Sequence, residues 1–133
     1  MGKLYVVTGG AGFIGSNIVE RLLREGERVR VVDNFATGRR ENVEAASRAA
    51  GGARPEILEG DLADLEVARR AVEGASYVLH QAAIPSVPRS VTDPVKTHAA
   101  NITATLHLLE AAREKGIERF VYASSSSAYG DTP

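Results

Sequence analysis

The chain has 133 residues, 44% hydrophobic and 25% charged with a net charge of −1, the totals of one soluble domain with one core. Near-neutral charge argues against a broad electrostatic pull toward nucleic acid or membrane. The lack of cysteine excludes disulfides, thiolate nucleophiles and cysteine-held metals, and fits a reducing, cytoplasmic setting.

Residues 4–7, Leu-Tyr-Val-Val, read as a strand, too short a run and too soon followed by glycine for a signal peptide. Ile14, Ile18 and Leu22 then recur every fourth residue, a helical stripe over residues 13–24, with Gly26 as its stop. Residues 28–32 form a second strand and 39–50 an alanine-rich helix ended by Gly51-Gly52. Residues 56–59 form a third strand. Asp64 is placed to cap a helix carrying Leu65, Ala68 and Val72. A fourth strand covers 76–80, followed by a loop holding Pro85, Pro88 and Pro94. One long helix over 96–115 presents Ala104, Leu108 and Ala111 and stops at Gly116; a fifth strand covers 120–123. Strand–helix alternation predicts an α/β doubly wound parallel sheet in the order 3-2-1-4-5, with a ligand crevice beside strands 1 and 4. Such sheets usually continue past a fifth strand, so the expectation is one Rossmann domain over 1–133, C-terminally incomplete and without its substrate domain.

The turn after the first strand holds Gly9, Gly12 and Gly15 in a G-x-x-G-x-x-G spacing. Gly9 permits the tight turn, Gly12 lets backbone approach a pyrophosphate, and Gly15 lets the helix pack against the sheet. Amides at the helix start then face the phosphates. Asp33 ends the second strand, 18 residues after Gly15. A carboxylate there accepts both ribose hydroxyls of an adenosine half and repels a 2′-phosphate, which favours NAD over NADP. The alternatives are that Asp33 only caps the turn with Asn34, and that Arg39 or Arg40 takes a 2′-phosphate.

The glycine spacing, Asp33-Asn34, Gly60-Asp61-Leu62, His80-Gln81-Ala82-Ala83, Asn101 and the run Ser124-Ser125-Ser126-Ser127-Ala128-Tyr129-Gly130 together resemble the extended short-chain dehydrogenase/reductases. Within them the likeness is to the NAD-dependent epimerase/dehydratase family, on the side of the UDP-glucose and UDP-N-acetylhexosamine 4-epimerases. The resemblance implies NAD as cofactor, with Phe13 and Ile14 bringing backbone amides to the pyrophosphate. It implies that Asp33, Asn34, Thr37 and Gly38 surround the ribose and that Asp61 and Leu62 bind adenine. It also puts Ala82, Ala83, Asn101 and Ser124 along the rest of the cofactor. Asp61 is otherwise a turn residue, and Asn101 a helix-surface amide. Ser125, four before Tyr129, is the implied catalytic hydroxyl on the reacting sugar oxygen. Ser126, Ser127, Ser86 and Arg89 are candidate contacts to a UDP-sugar substrate, the alternative being a solvated serine loop and an exposed arginine. His80, His98 and His107 lack metal spacing on one helix, no metal is expected, and His80 reads as structural.

The implied reaction inverts the sugar 4-hydroxyl through a transient 4-keto species. Its base in relatives is a tyrosine in a Tyr-x-x-x-Lys pair. None of Tyr5, Tyr77, Tyr122 and Tyr129 has a lysine four residues on. The pair is expected after Pro133, and these residues are not expected to turn substrate over alone. A dehydratase would carry Asp-Glu where Ser126-Ser127 stand. A UDP-glucuronate decarboxylase shares the Asp33-Asn34-Phe35 style of loop, and a non-catalytic NAD-binding module needs no base at all. The resemblance further implies a homodimer for the intact protein.

Overall fold

The computed structural model describes residues 2–131. Its strands are β1 (Leu4–Thr8), β2 (Arg28–Asp33), β3 (Glu56–Glu59), β4 (Tyr77–His80) and β5 (Arg119–Tyr122). They pair in parallel in the order β3-β2-β1-β4-β5, as the alternation predicted. The helices are α1 (Phe13–Arg24), α2 (Arg40–Ala49), α3 (Leu65–Val72), α4 (Val87–Thr92), α5 (Pro94–His98) and α6 (Ala104–Lys115), with a π turn, Ala99–Thr103, joining α5 to α6.

Successive valines divide the core. Val7, Val29 and Val31 pack with Val19, Leu22 and Leu23 of α1 and Val43 and Ala46 of α2. Val6, Val32 and Val78 pack on the other face with Val67, Ala71, Val72, Leu108 and Ala111 of α3 and α6. A central strand that must be apolar on both faces reads as an unbroken Val run, the mark of a covered parallel sheet. Asp64 caps α3 as expected, its Oδ1 accepting from the Glu66 amide at 3.0 Å. The C-terminal carbonyls of α3 are taken by Arg30, whose Nη1 donates to Ala71 and Glu73 at 2.8 and 2.7 Å.

Two expectations change. The buried face of α1 is Gly15, Val19, Leu22 and Leu23, while Ile14 is 62% exposed. In the i, i+4 series Ile14, Ile18 and Leu22, the last is buried, Ile18 is half-buried against the same cluster, and only Ile14 stands off the contact stripe. The helix expected over 96–115 is present and unbroken in backbone, its junction residues His98, Ala99, Thr103 and Ala104 all right-handed helical, but it carries a π turn, and part of the proline loop before it is helical. Ser86 caps α4 by accepting from the Arg89 amide, and Asp93 caps α5 by accepting from the Lys96 amide. The π turn then inserts its extra residue where Asn101 turns its amide toward residue 84.

Leu108 is fully buried against both α3 and the sheet. Leu108→Ala should cost about 3 kcal/mol of stability, read as a lower urea midpoint with unchanged slope.

Candidate functional site

The site lies at the carboxyl ends of β1 and β4, where the chain leaves the sheet toward opposite faces and a crevice must open. At the end of β1 the Gly9 turn has φ +67°, and a Cβ there would stand 2.9 Å from the Ala82 amide nitrogen. A Cβ on Gly15 would overlap the Gly9 carbonyl oxygen. These two glycines therefore let the turn, the first helical turn of α1 and the strand beyond β4 close on one another. The Gly12 N-cap offers no side-chain bond and the first turn of α1 holds no acid. Its leading amides, those of Phe13 and Ile14 among them, have no carbonyl partner within the helix and carry the positive end of its dipole, and Gly12 before them borders the crevice. The Phe13 side chain itself is 84% exposed.

Asp33 is fixed by backbone. Its Oδ2 accepts from the Ala11 amide at 3.0 Å and its Oδ1 from the Phe35 amide at 2.8 Å. The capping geometry weighed from the sequence is therefore present. It leaves each carboxylate oxygen a further lone pair, because an ionised carboxylate accepts at about four sites. Asn34 caps the next residue but one, accepting from Ala36. Ala11 is held from the other side as well, its carbonyl accepting from the Arg39 amide and from Asn42 Nδ2. Phe35, at φ +58°, lies under the Arg40 guanidinium at 4.2 Å, and Arg40 also pairs with Glu59 at 2.8 Å. Arg40 is thereby engaged by an aromatic face and a carboxylate.

A groove of about 700 Å³, open to solvent, collects Gly9, Gly12, Asp33, Asn34, Thr37, Gly38, Asp61, Leu62, Ala82 and Ala83. Asp61 Oδ1 accepts from the Ala63 amide, so it shapes its turn and also faces the groove. Leu62 is nearly buried and serves the core as well as the groove. A second basin of about 1380 Å³ shares residues 81–84 with the first. It adds Ile14, Ser86, Asn101, Ser124, Ser125 and Ser127. Ser125 caps a short 3-10 turn, Ser126–Tyr129, its Oγ accepting from the Ser127 amide at 3.1 Å. Ser126 does not line this basin. Nor does Arg89, which faces a separate concavity with Thr37, Asp93 and Lys96, because α4 turns it away from the serines. No group of three or more His, Asp or Glu gathers to hold a metal among the described residues.

The sequence reading missed the floor shared by the two hollows. Thr8 Oγ1 accepts from the Gln81 and Ala82 amides at 3.0 and 3.1 Å and bonds His80 Nδ1 at 2.6 Å. His80 Nε2 bonds Thr105 Oγ1 at 2.8 Å, and Thr105 donates to the Asn101 carbonyl at 2.8 Å. Asn101 closes the set: its Oδ1 accepts from the Ile84 amide at 2.7 Å and its Nδ2 donates to the Ile84 carbonyl at 3.0 Å. The only local signal was a hydroxyl residue ending a buried strand just before the glycine run. Thr105 gave none. His80 is structural, as the sequence suggested. It is 2% exposed, and burial pushes its pKa from 6.5 down to about 4.

That shift has a sign. The unfolded chain binds the histidine proton below pH 6.5 and the folded chain only near pH 4, so stability falls as pH drops across that window. Urea unfolding should show a loss of roughly 3 kcal/mol between pH 7 and pH 4 from this group. His80→Asn should flatten the slope between about pH 6.5 and pH 4.5.

Comparison with known proteins gives concordant findings. A family model described as the NAD dependent epimerase/dehydratase family matches residues 5–133. The UDP-glucose 4-epimerase of Erwinia amylovora is 37% identical over 131 residues, 96% of this chain and 39% of that protein. The UDP-glucose 4-epimerase of Stenotrophomonas maltophila, solved with bound NAD and formylated UDP-arabinopyranose, superposes with a TM-score of 0.89 at 32% identity, covering 99% of this chain and 39% of the other. That of Thermus thermophilus, solved with NAD, gives a TM-score of 0.85 at 45% identity, covering 98% and 40%. The chain thus spans about two fifths of the length of these relatives.

Proposed function

The chain belongs to the NAD dependent epimerase/dehydratase family, and we propose that it forms the cofactor-binding part of an NAD-dependent nucleotide-sugar 4-epimerase acting on a UDP-sugar. The observation that carries this reading is the pair of adjoining hollows over residues 81–84, one ending on a fixed carboxylate, the other on serine hydroxyls.

The first hollow fits NAD. The Gly9 turn, the acid-free N-terminus of α1 and the Asp33 carboxylate supply a phosphate cradle and a ribose acceptor in one groove. Thr37 and Gly38 border the ribose end, with Asn34 beside them. Asp61 and Leu62 border the adenine end. Arg40 stacks on Phe35 and pairs with Glu59 at the surface, while the Asp33 carboxylate at the groove is what disfavours a 2′-phosphate in this reading. Ala82, Ala83 and Ser124 bound the remainder, and Asn101 holds the backbone of Ile84 beside them.

When bound, NAD supplies reversible hydride acceptance from the sugar C4. The chain's own residues orient and exclude water. Ser125 hydrogen-bonds the sugar 4-oxygen and passes its proton, one lone pair being bound by the Ser127 amide and the hydroxyl hydrogen left free for a ligand. Ser86 and Ser127, which line the second basin, are the flanking substrate contacts; Ser126 and Arg89 lie outside that lining and are given no such contact. The base lies outside these residues. The exposed apolar side chains Ile102, Leu106 and Leu109 support a homodimer in the intact enzyme. No helix among the described residues is long and apolar enough to cross a membrane, in keeping with a cytoplasmic enzyme.

Calorimetry should show NAD binding at least about tenfold tighter than NADP, and equal affinities would overturn the role given to Asp33. In the intact enzyme Ser125→Ala should lower kcat about 100-fold with NAD affinity kept. An unchanged kcat would remove Ser125 from the chemistry, and NAD binding without any epimerisation would leave a cofactor-binding module.

A further inference from the structure

We propose that His80 is a positioning residue for both hollows, its imidazole locked in one tautomer so that it fixes residues 81–84 against the Gly9 turn and the π turn. This rests on the reading of those hollows as cofactor and substrate sites, whose chemistry makes no use of an imidazole.

The tautomer follows from donor and acceptor counts. Thr105 gives its hydroxyl hydrogen to the Asn101 carbonyl, so the 2.8 Å bond to His80 must run from Nε2–H to Thr105 Oγ1. Thr8 Oγ1 spends both lone pairs on the Gln81 and Ala82 amides, so its own hydrogen must go to His80 Nδ1. Only the neutral ring with hydrogen on Nε2 satisfies both sides. A neutral ring carrying its hydrogen on Nδ1 would set a bare Nε2 lone pair against Thr105 Oγ1, whose hydrogen is already given to Asn101. It would also aim a third donor at Thr8 Oγ1, on which the Ala82 amide depends while the Gln81 amide also has the Thr8 carbonyl at 3.2 Å. Burial makes such a mismatch costly. The flanking rings of Tyr122 and Phe120, with centroids at 5.6 and 6.0 Å, border the imidazole.

The consequence reaches the binding surface at once. Residues 81–84 are gripped at one end by Thr8 and at the other by Asn101, and the imidazole joins the two grips through Thr105. There is no slack on the cofactor side, because a Cβ at Gly9 would stand only 2.9 Å from the Ala82 amide nitrogen. A shift of this segment therefore moves the wall of both hollows.

Thr105 is the place to cut. It lines neither hollow. Thr105→Val keeps the shape and removes the hydroxyl, and Thr105→Ser keeps the hydroxyl. Nitrogen-15 NMR of the wild-type chain at pH 7 should show His80 neutral and protonated on Nε2. Thr105→Val should speed hydrogen exchange of the Ala82 and Ile84 amides and weaken NAD binding, each about tenfold. Thr105→Ser should stay within about twofold of wild type on both. A packing role alone would leave the isosteric valine variant unchanged. Hydrogen on Nδ1, or wild-type exchange and affinity in Thr105→Val, would overturn the proposal. A wild-type chain that does not bind NAD would overturn the reading of the first hollow instead, and the tautomer and amide exchange would then decide the role of His80 on their own.

Discussion

Two neighbouring parallel strands, β1 and β4, send their chains to opposite faces of the sheet, and the gap between them must stay open without stranding backbone groups. The Thr8 hydroxyl solves this by accepting from the Gln81 and Ala82 amides across the gap. The Gln81 amide is shared with the Thr8 carbonyl at 3.2 Å, whereas the half-buried Ala82 amide relies on the hydroxyl, and leaving such a group unpaired costs about 1 kcal/mol. The same bonds draw residue 82 so close to the Gly9 turn that no side chain fits at position 9. From that approach follow the Gly9 conformation, the exit line of α1 and the floor on which both hollows stand.

Above this floor the structure separates rigid support from chemistry. The supporting groups, Thr8, His80 and Leu108, are buried and held by bonds or packing on every side. The groups offered to a ligand, Asn34, Asp61 and Ser125, are exposed, and each is held by a short bond to a nearby backbone amide. Asp33 stands between the two classes, half-buried and doubly bonded at the edge of the groove. Local Asx and serine turns therefore aim the polar heads without long-range packing.

The sheet order was legible because valine runs, capping residues and glycine stops recur at the spacing that parallel α/β units require. The groove was legible for the same reason: Gly9, Gly15 and Asp33 act through backbone conformation and strand ends, both local in sequence. What escaped notice depends on contacts between distant residues. The π turn between α5 and α6 has no proline or glycine within residues 96–115 to mark it; it coincides with the Asn101–Ile84 bonds, formed across 17 positions. Ile14 fits a helical stripe, yet it faces the basin side, because the contact stripe of α1 begins at Gly15. Arg89 sits close in sequence to Ser86, and one turn of α4 is enough to send it elsewhere.

Charge completes the division between the hollows. Asp33 and Asp61 border the first, whereas the second is lined by serines, Thr97, Asn101, Gln81, His80, the Tyr122 phenol and apolar side chains, with no Asp, Glu, Lys or Arg among its described lining residues. The imidazole at its floor is neutral, since burial holds the His80 pKa at about 4. Under the proposed epimerase reading, a lining of this kind favours neither the alcohol nor the ketone state of a bound sugar by a fixed charge. It also sets what the lining lacks for that chemistry. A serine hydroxyl relays a proton but does not hold one away from an alcohol at neutral pH, so the role proposed for Ser125 calls for a base of tuned pKa beside it. The neutral floor leaves such a group free to be tuned by its own partner, undisturbed by a carboxylate or ammonium beneath it.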